Sequence, residues 1–206
     1  MATEAWPTGT WQDVTVGAAN TTTTMTGTPP QYMNSLTVNG NVVMPSGTVQ
    51  VSTITINSGS SLTLQNGASF TNSSTLNGGT LILDGASVSF SGQAKQGTVI
   101  KFDHSSGKAN SFTMGSDQYR QNITIENLAP GDTLTFNYDT IKSFTDDGSG
   151  KIKIVTNNGV TTDVYTAVNP KTGKPFTSND FTYSGGTVVC FLSGSMIRTI
   201  NGNMAV

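Results

Sequence analysis

In Asn57-Ser58-Gly59-Ser60-Ser61-Leu62-Thr63-Leu64-Gln65-Asn66-Gly67-Ala68-Ser69-Phe70 lies the pattern that best predicts the fold, because it repeats along the chain. It contains a turn, a short run in which leucine alternates with polar residues, and a Gly-Ala-Ser tail. The same order returns about 18 to 20 residues later in Asn77-Gly78-Gly79-Thr80-Leu81-Ile82-Leu83-Asp84-Gly85-Ala86-Ser87-Val88. Fainter copies start at Ser35-Leu36-Thr37-Val38-Asn39-Gly40 and Ser52-Thr53-Ile54-Thr55-Ile56-Asn57. A period of about 20 residues, built from short alternating strands and tight turns, is typical of a β-solenoid.

These copies predict an all-β protein with a parallel β-solenoid (β-helix) of about three to four coils over residues 35–105. Successive residues of a strand point to opposite faces, so one set of side chains lies inside each coil and Thr and Ser lie outside. The inward set is Leu36, Val38, Ile54, Ile56, Leu62, Leu64, Leu81 and Leu83. A β-sandwich is the alternative, because its strands also alternate, but a sandwich does not require the turn and the tail to recur together.

Charge divides the chain into two parts. Residues 1–94 hold three charged side chains, Glu4, Asp13 and Asp84, whereas residues 95–206 hold the other nineteen. We expect an N-terminal cap or edge segment over residues 1–34, the solenoid over 35–105, and a second β-rich region over 106–189. That region is either a domain of its own or a continuation of the solenoid. Its segments 123–128 and 132–136, and likewise 151–155 and 161–164, have the pattern of antiparallel pairs joined by turns.

Composition excludes several classes of protein. Thr 34, Ser 22, Asn 18 and Gly 23 make up nearly half of the 206 residues, and this bias disfavours helices. A net charge of -2 provides no basic patch, so we expect no nucleic-acid partner. The strongest apolar run is 188–192, too short for a membrane span. The N-terminus lacks the features of a signal peptide, which leaves open a cytoplasmic protein, a mature form, or export by a route without such a signal.

Few residues of the first 180 suggest chemistry. His104 lies between Asp103 and Ser105, but sequence neighbours do not converge as a catalytic triad, so we interpret His104 as an exposed loop histidine. The segment 146–151 lacks the spacing of a phosphate loop and the ligands of a calcium loop, and it predicts a hairpin turn. Asp84 is the only charged residue of 35–94, whereas solenoids that cleave polysaccharides need several. We expect neither a metal nor a cofactor.

The segment Cys190-Phe191-Leu192-Ser193-Gly194-Ser195-Met196-Ile197-Arg198-Thr199-Ile200-Asn201-Gly202 closely resembles the opening block of Hint (hedgehog/intein-type) autoprocessing domains. Residues 181–189 also resemble the lead-in of bacterial secreted proteins that carry such a domain after a β-rich passenger. The resemblance implies that Cys190 is the nucleophile and that the scissile bond follows Val189, whose carbonyl the thiolate attacks to form a thioester. A buried structural cysteine in a last β-strand is the alternative.

The resemblance covers only residues 181–206, and Ser195 stands where the family more often has Thr. Residues 190–206 therefore correspond to a truncated start of a Hint domain. The family's second block, with the Thr and His that activate the scissile peptide, is expected downstream of Val206. His104 lies upstream and does not match that histidine by order. We therefore expect this chain by itself not to be an enzyme and not to cleave itself.

Three hypotheses about function follow. The first is an extracellular or cell-surface structural or adhesive passenger of a bacterial Hint-bearing precursor, which forms homo-oligomers, fibres or biofilm matrix by end-to-end strand addition. The second is a cell-surface carbohydrate-binding module that stacks glycans on Tyr119, Tyr138 and Tyr183. The third is the autoprotease itself.

Overall fold

The computed structural model describes residues 1–94, 97–115, 123–137, 139–146, 149–159, 161–190, 196–199 and 202–205. The side chains at 72–74, 93, 189, 190, 196–199 and 202–205 are outside this description. The described chain is all-β, and it confirms the predicted parallel β-solenoid.

Fourteen strands form the solenoid, and they alternate between two sheets. In chain order they are β1 (Ala2–Ala5), β2 (Gln12–Val16), β3 (Thr22–Thr26), β4 (Tyr32–Val38), β5 (Asn41–Met44), β6 (Thr48–Ile56), β7 (Ser61–Gln65), β8 (Ser69–Asn77), β9 (Thr80–Asp84), β10 (Ser87–Ala94), β11 (Thr98–Asp103), β12 (Ser111–Met114), β13 (Ile123–Leu128) and β14 (Thr133–Phe136). The odd-numbered strands pair in parallel as sheet A, and the even-numbered strands pair in parallel as sheet B. One odd and one even strand make each coil.

The stack is longer than the three to four coils predicted: each sheet holds seven of the solenoid's parallel strands, which about six turns of the chain separate. The parallel ladders begin at β1 and β2, within the stretch assigned to a cap, and continue past residue 105 to β14. The first coils escape sequence analysis because their inward positions are not all apolar. In β3 the two buried side chains are Thr23 and Met25, so the alternation there is hidden within a run of threonines.

The core consists of ladders of apolar side chains that stack from one coil to the next. In sheet A, Val42, Leu62, Leu81, Ile100 and Ile125 occupy one continuous row. In sheet B, the equivalent row is Val49, Phe70, Val88, Phe112 and Leu134. All ten side chains are buried. Each coil thus buries its apolar face only against its neighbours, and the stability of a solenoid comes from these contacts between adjacent coils.

Glycine is required at tight corners between coils, and Gly40 is an example. Gly40 has φ +70°, and a Cβ there would lie 2.1 Å from the carbonyl oxygen of Ala18. Gly59, at φ +75°, faces open space. Gly40 therefore combines the left-handed backbone with a close approach of the preceding coil, whereas Gly59 has the left-handed backbone alone.

Antiparallel strands cover the end of the solenoid that follows β14. They are β15 (Ile141–Asp146), β16 (Lys151–Thr156), β17 (Thr161–Thr166), β18 (Phe181–Ser184) and β19 (Thr187–Cys190), with one turn of 3₁₀ helix at Ser178–Asp180. The hairpin predicted at 146–151 is confirmed as β15–β16, and the antiparallel pair predicted from 151–155 and 161–164 is confirmed as β16–β17. The predicted antiparallel pairing of 123–128 with 132–136 is wrong. β13 and β14 lie in different sheets, because the turn between them is a coil corner.

β17 pairs in parallel with β13 and so extends sheet A, whereas β19 pairs antiparallel with β14 in sheet B. The last described strands are β20 (Met196–Thr199) and β21 (Gly202–Ala205), which pair only with each other in the described chain. The region 106–189 therefore holds both the final parallel coil and the antiparallel cap.

Candidate functional site

The candidate site residues predicted from the sequence do not form one site within the described part of the chain. Tyr119 and Tyr138 lie outside the described residues. Tyr183 lies on β18, is 46% exposed, and places its ring 5.8 Å from that of Phe144. It is therefore a half-exposed edge aromatic that packs on one neighbour.

Cys190 is the last residue of β19, and its backbone pairs with Phe181 of β18. Val189 pairs with Thr182 on one side and with Thr133 of β14 on the other. The peptide bond between Val189 and Cys190 thus lies in an inner strand of the cap. Both side chains are outside the described set, so the alternative of a buried structural cysteine stays open.

The structure brings together a polar cluster that sequence analysis missed, at the corner where the later coils pass from sheet A to sheet B. We call His104, Asn110 and Asp132 the polar corner. The Asp132 side chain is fully buried. Its Oδ1 accepts hydrogen bonds from the Asn110 backbone N–H at 3.0 Å and from Asn110 Nδ2 at 3.3 Å. Its Oδ2 accepts from the Ala129 backbone N–H at 2.9 Å and pairs with His104 Nε2 at 2.8 Å.

Asn110 links this carboxylate to the preceding coils. Its Oδ1 accepts from the backbone N–H groups of Gly85 at 2.8 Å and Ala86 at 3.2 Å, and its Nδ2 donates to the carbonyl of Asp103 at 2.9 Å. Three consecutive corners are therefore joined through two side chains. Hydrogen bonds to a buried carboxylate are stronger than those between neutral groups, so the polar corner acts as a clamp between coils.

His104 is partly buried and paired, which corrects its interpretation as an exposed loop histidine. Its side chain is 31% exposed. The hydrogen bond to Asp132 raises the pKa of His104 above its ordinary value of 6.5, and the negative charges of Asp132, Asp103 and Asp84 act in the same direction. Partial burial opposes them by disfavouring the imidazolium. The carboxylate of Asp103 itself accepts from Ser105, so adjacent residues of the sequence do not form a triad.

An open groove of about 680 Å³ adjoins the polar corner. Its walls come from the loop after β11, from the 129–131 turn and from the loop after β17. The lining is mostly apolar, with His104, Lys108 and Asn127 as its polar members and Val168 and Phe176 on the far wall. His104 Nδ1 lies 3.4 Å from Asn127 Nδ2 and Nε2 is held by Asp132, so both ring nitrogens have partners. This arrangement fixes the ring and favours a structural role.

Within the described ranges, no three His, Cys, Asp or Glu side chains are grouped to hold a metal ion. The same part of the chain has no helix with the length and hydrophobicity needed to cross a membrane. Comparisons of the chain with protein-family models, with curated proteins and with solved structures found no match.

Proposed function

We propose that this chain is the passenger of a bacterial Hint-bearing precursor and works outside the cell as a structural or adhesive rod. The observation that supports this proposal is the unbroken two-sheet stack from β1 to β14. At about 4.8 Å per coil, the parallel stack is roughly 30 Å tall. A rod of this kind holds an adhesive group at one end away from the surface to which its other end is attached.

The outer face of the rod is polar, as expected for a surface that is exposed to water. Polar side chains hydrogen-bond from coil to coil, as in Ser61 to Asn41 at 2.9 Å and Asn77 to Thr55 at 3.1 Å. Thr48 and Ser69 make a further contact of 2.9 Å. Because the backbone of the inner strands is paired on both sides, local opening and hence proteolysis are disfavoured.

Assembly by end-to-end strand addition is part of the proposal. β1 and β2 are the terminal strands of their sheets in the described chain, and an exposed terminal strand is a template for another strand. The backbone N–H of Asn39 donates to the carbonyl of Val16, so the groups of Val16 point toward β4 and those of Thr15 point outward. Pairing between the β1 and β2 edges of two molecules gives a closed dimer. Pairing of that edge of one molecule with the β15 and β18 end of another gives a fibre.

Electron microscopy and light scattering of the purified protein test assembly. We expect dimers or fibres for the wild type. Thr15→Pro removes an outward N–H without removing a bond to β4, so it should give monomers with an unchanged unfolding temperature. A wild type that stays monomeric at high concentration, or a Thr15→Pro variant that assembles equally well, would contradict assembly.

Release from the precursor is tested separately, in a gene extended beyond Val206. We expect mass spectrometry to find a fragment that ends at Val189, and Cys190→Ala to abolish it. The chain alone should remain intact. An extended protein that is never cut after Val189 would refute the Hint assignment while leaving the rod proposal standing.

The alternative is a carbohydrate-binding module at the capped end, favoured by the exposure of Tyr183. Its prediction is a loss of glycan binding in Tyr183→Ala. Unchanged binding by that variant would remove the one described residue that supports a site there.

A further inference from the structure

The most unusual exposed side chain of the rod is Trp11, immediately before β2. It is 57% exposed, and its backbone has φ +57°. A positive φ is rare for a bulky residue, because the side chain crowds the backbone. The conformation is held by the next coil: the Trp11 N–H donates to the carbonyl of Tyr32 at 3.0 Å, and the Trp11 carbonyl accepts from Asn34 Nδ2 at 2.8 Å.

The indole ring of Trp11 stacks flat on the ring of Tyr32. The ring centroids are 5.1 Å apart, and the ring planes differ by 6°. One face of the indole is therefore covered, while much of the side chain remains open to water. Trp6, the other tryptophan, is 6% exposed and packs in the core. Backbone strain of this kind clusters at ligand-binding sites, so a strained and exposed tryptophan is a candidate ligand contact.

A shallow polar groove of about 210 Å³ continues from this aromatic pair across sheet B. Tyr32 pairs with Gln50, and Gln50 pairs with Thr71, so the three lie in one row over three coils. Gln31 and Thr48 complete the lining. The row extends about 10 Å from Tyr32 to Thr71 at the usual strand spacing, which is the length of roughly two sugar rings.

The charge around the groove selects the kind of ligand. All ten Lys and Arg residues lie beyond residue 94, and the charges of the first 94 residues are the acidic Glu4, Asp13 and Asp84. Asp13 lies nearby on β2, where its Oδ1 accepts from Ser35 Oγ at 2.7 Å. The residues that line the groove include no Lys or Arg to pair with an anionic ligand, whereas their amide and hydroxyl side chains suit a neutral, hydroxyl-rich ligand.

We propose that Trp11, Tyr32 and this groove form a binding site for a neutral oligosaccharide. The C–H face of one sugar ring stacks on the open face of the Trp11 indole, and hydroxyls of the next rings bond with Gln50, Gln31, Thr48 and Thr71. Aromatic rings supply such contacts with little loss of side-chain entropy, and the fixed Trp11 backbone lowers that loss further. The site needs neither Hint processing nor assembly, and it lies far along the chain from Tyr183.

Titration of the full chain with cellohexaose, xylohexaose, mannohexaose and chitohexaose tests the site, with an oligogalacturonate as the anionic comparison. Calorimetry and tryptophan fluorescence follow binding. We expect at least one neutral hexasaccharide to bind, and Trp11→Ala to weaken it by about tenfold or more. Gln50→Ala, which leaves the aromatic pair intact, should weaken it less, and Tyr183→Ala should bind as the wild type does.

The proposal is overturned if no neutral hexasaccharide binds, if only the oligogalacturonate binds, or if Trp11→Ala binds like the wild type. Loss of binding in Tyr183→Ala with retention in Trp11→Ala would move the site to the capped end. Because the site does not depend on rod assembly, microscopy of the same samples reports on the proposed function independently.

Discussion

Asp132→Asn is the substitution that most directly tests the polar corner. The side chain keeps its shape but loses one acceptor oxygen and the negative charge. The carboxylate accepts two donors at each oxygen, and an amide has one oxygen, so one pair of donors must face an NH₂ group. Hydrogen bonds to a charged group contribute about 1.5 kcal/mol or more each. Two lost bonds therefore predict a destabilisation of about 3 kcal/mol.

Urea unfolding followed by circular dichroism measures this loss, with Asp163→Asn as the matched control. Asp163 is a 41% exposed aspartate on β17 that pairs with Lys151 at 2.8 Å, and exposed pairs of this kind contribute at most about 1 kcal/mol. Hydrogen exchange should show loss of protection at the Gly85 and Ala86 amides in Asp132→Asn alone, because Asn110 loses its anchor. Equal destabilisation by the two substitutions would refute the clamp.

Three further predictions concern single side chains. His104 has a raised pKa when folded, so its pairing stabilises the fold fully below about pH 6.5, and this stabilisation is lost as the pH rises through the folded pKa. The stability advantage of the wild type over His104→Gln should therefore shrink as the pH rises above about 6.5, and an advantage that grows would contradict the pairing. In urea unfolding, Gly40→Ala should lower the free energy of unfolding by about 1–3 kcal/mol more than Gly59→Ala does. Equal losses would show that the chain shifts to relieve the contact with the Ala18 carbonyl. Leu81→Ala, in the inner row, should cost about 2–5 kcal/mol, while Thr63→Ala on the outer face should cost about 0.5 kcal/mol or less; similar values would contradict the inward and outward assignment.

The fold was largely predictable because its information is local. The turn signals and the two-residue alternation at 57–70 and 77–88 identify both the strand and the direction of its side chains. The number of coils was underestimated where buried positions are polar. Thr23 in β3 and the threonines around it give no alternation of hydrophobicity, yet the coil forms because the neighbouring coil buries Met25.

The candidate sites were much less predictable. His104 and Asp132 are 28 positions apart and meet only because their coils stack. Trp11 and Tyr32 give no sequence signal for a platform, since two aromatics one coil apart can face the core or the solvent. Their exposure follows from the corner before β2, where the left-handed backbone of Trp11 sends its side chain outward.

The all-β solenoid class of the protein follows from local sequence pattern alone. A chain with few charges, abundant Thr, Ser, Asn and Gly, and a repeat of about 20 residues forms stacked coils, because each coil can bury its apolar face only against a similar one. Three other features follow from the stacking of the coils: which polar residues meet at a corner, where the parallel stack ends in antiparallel hairpins, and which aromatic side chain faces solvent. Those outcomes depend on contacts between residues a whole coil or more apart, and such contacts leave no trace in local pattern.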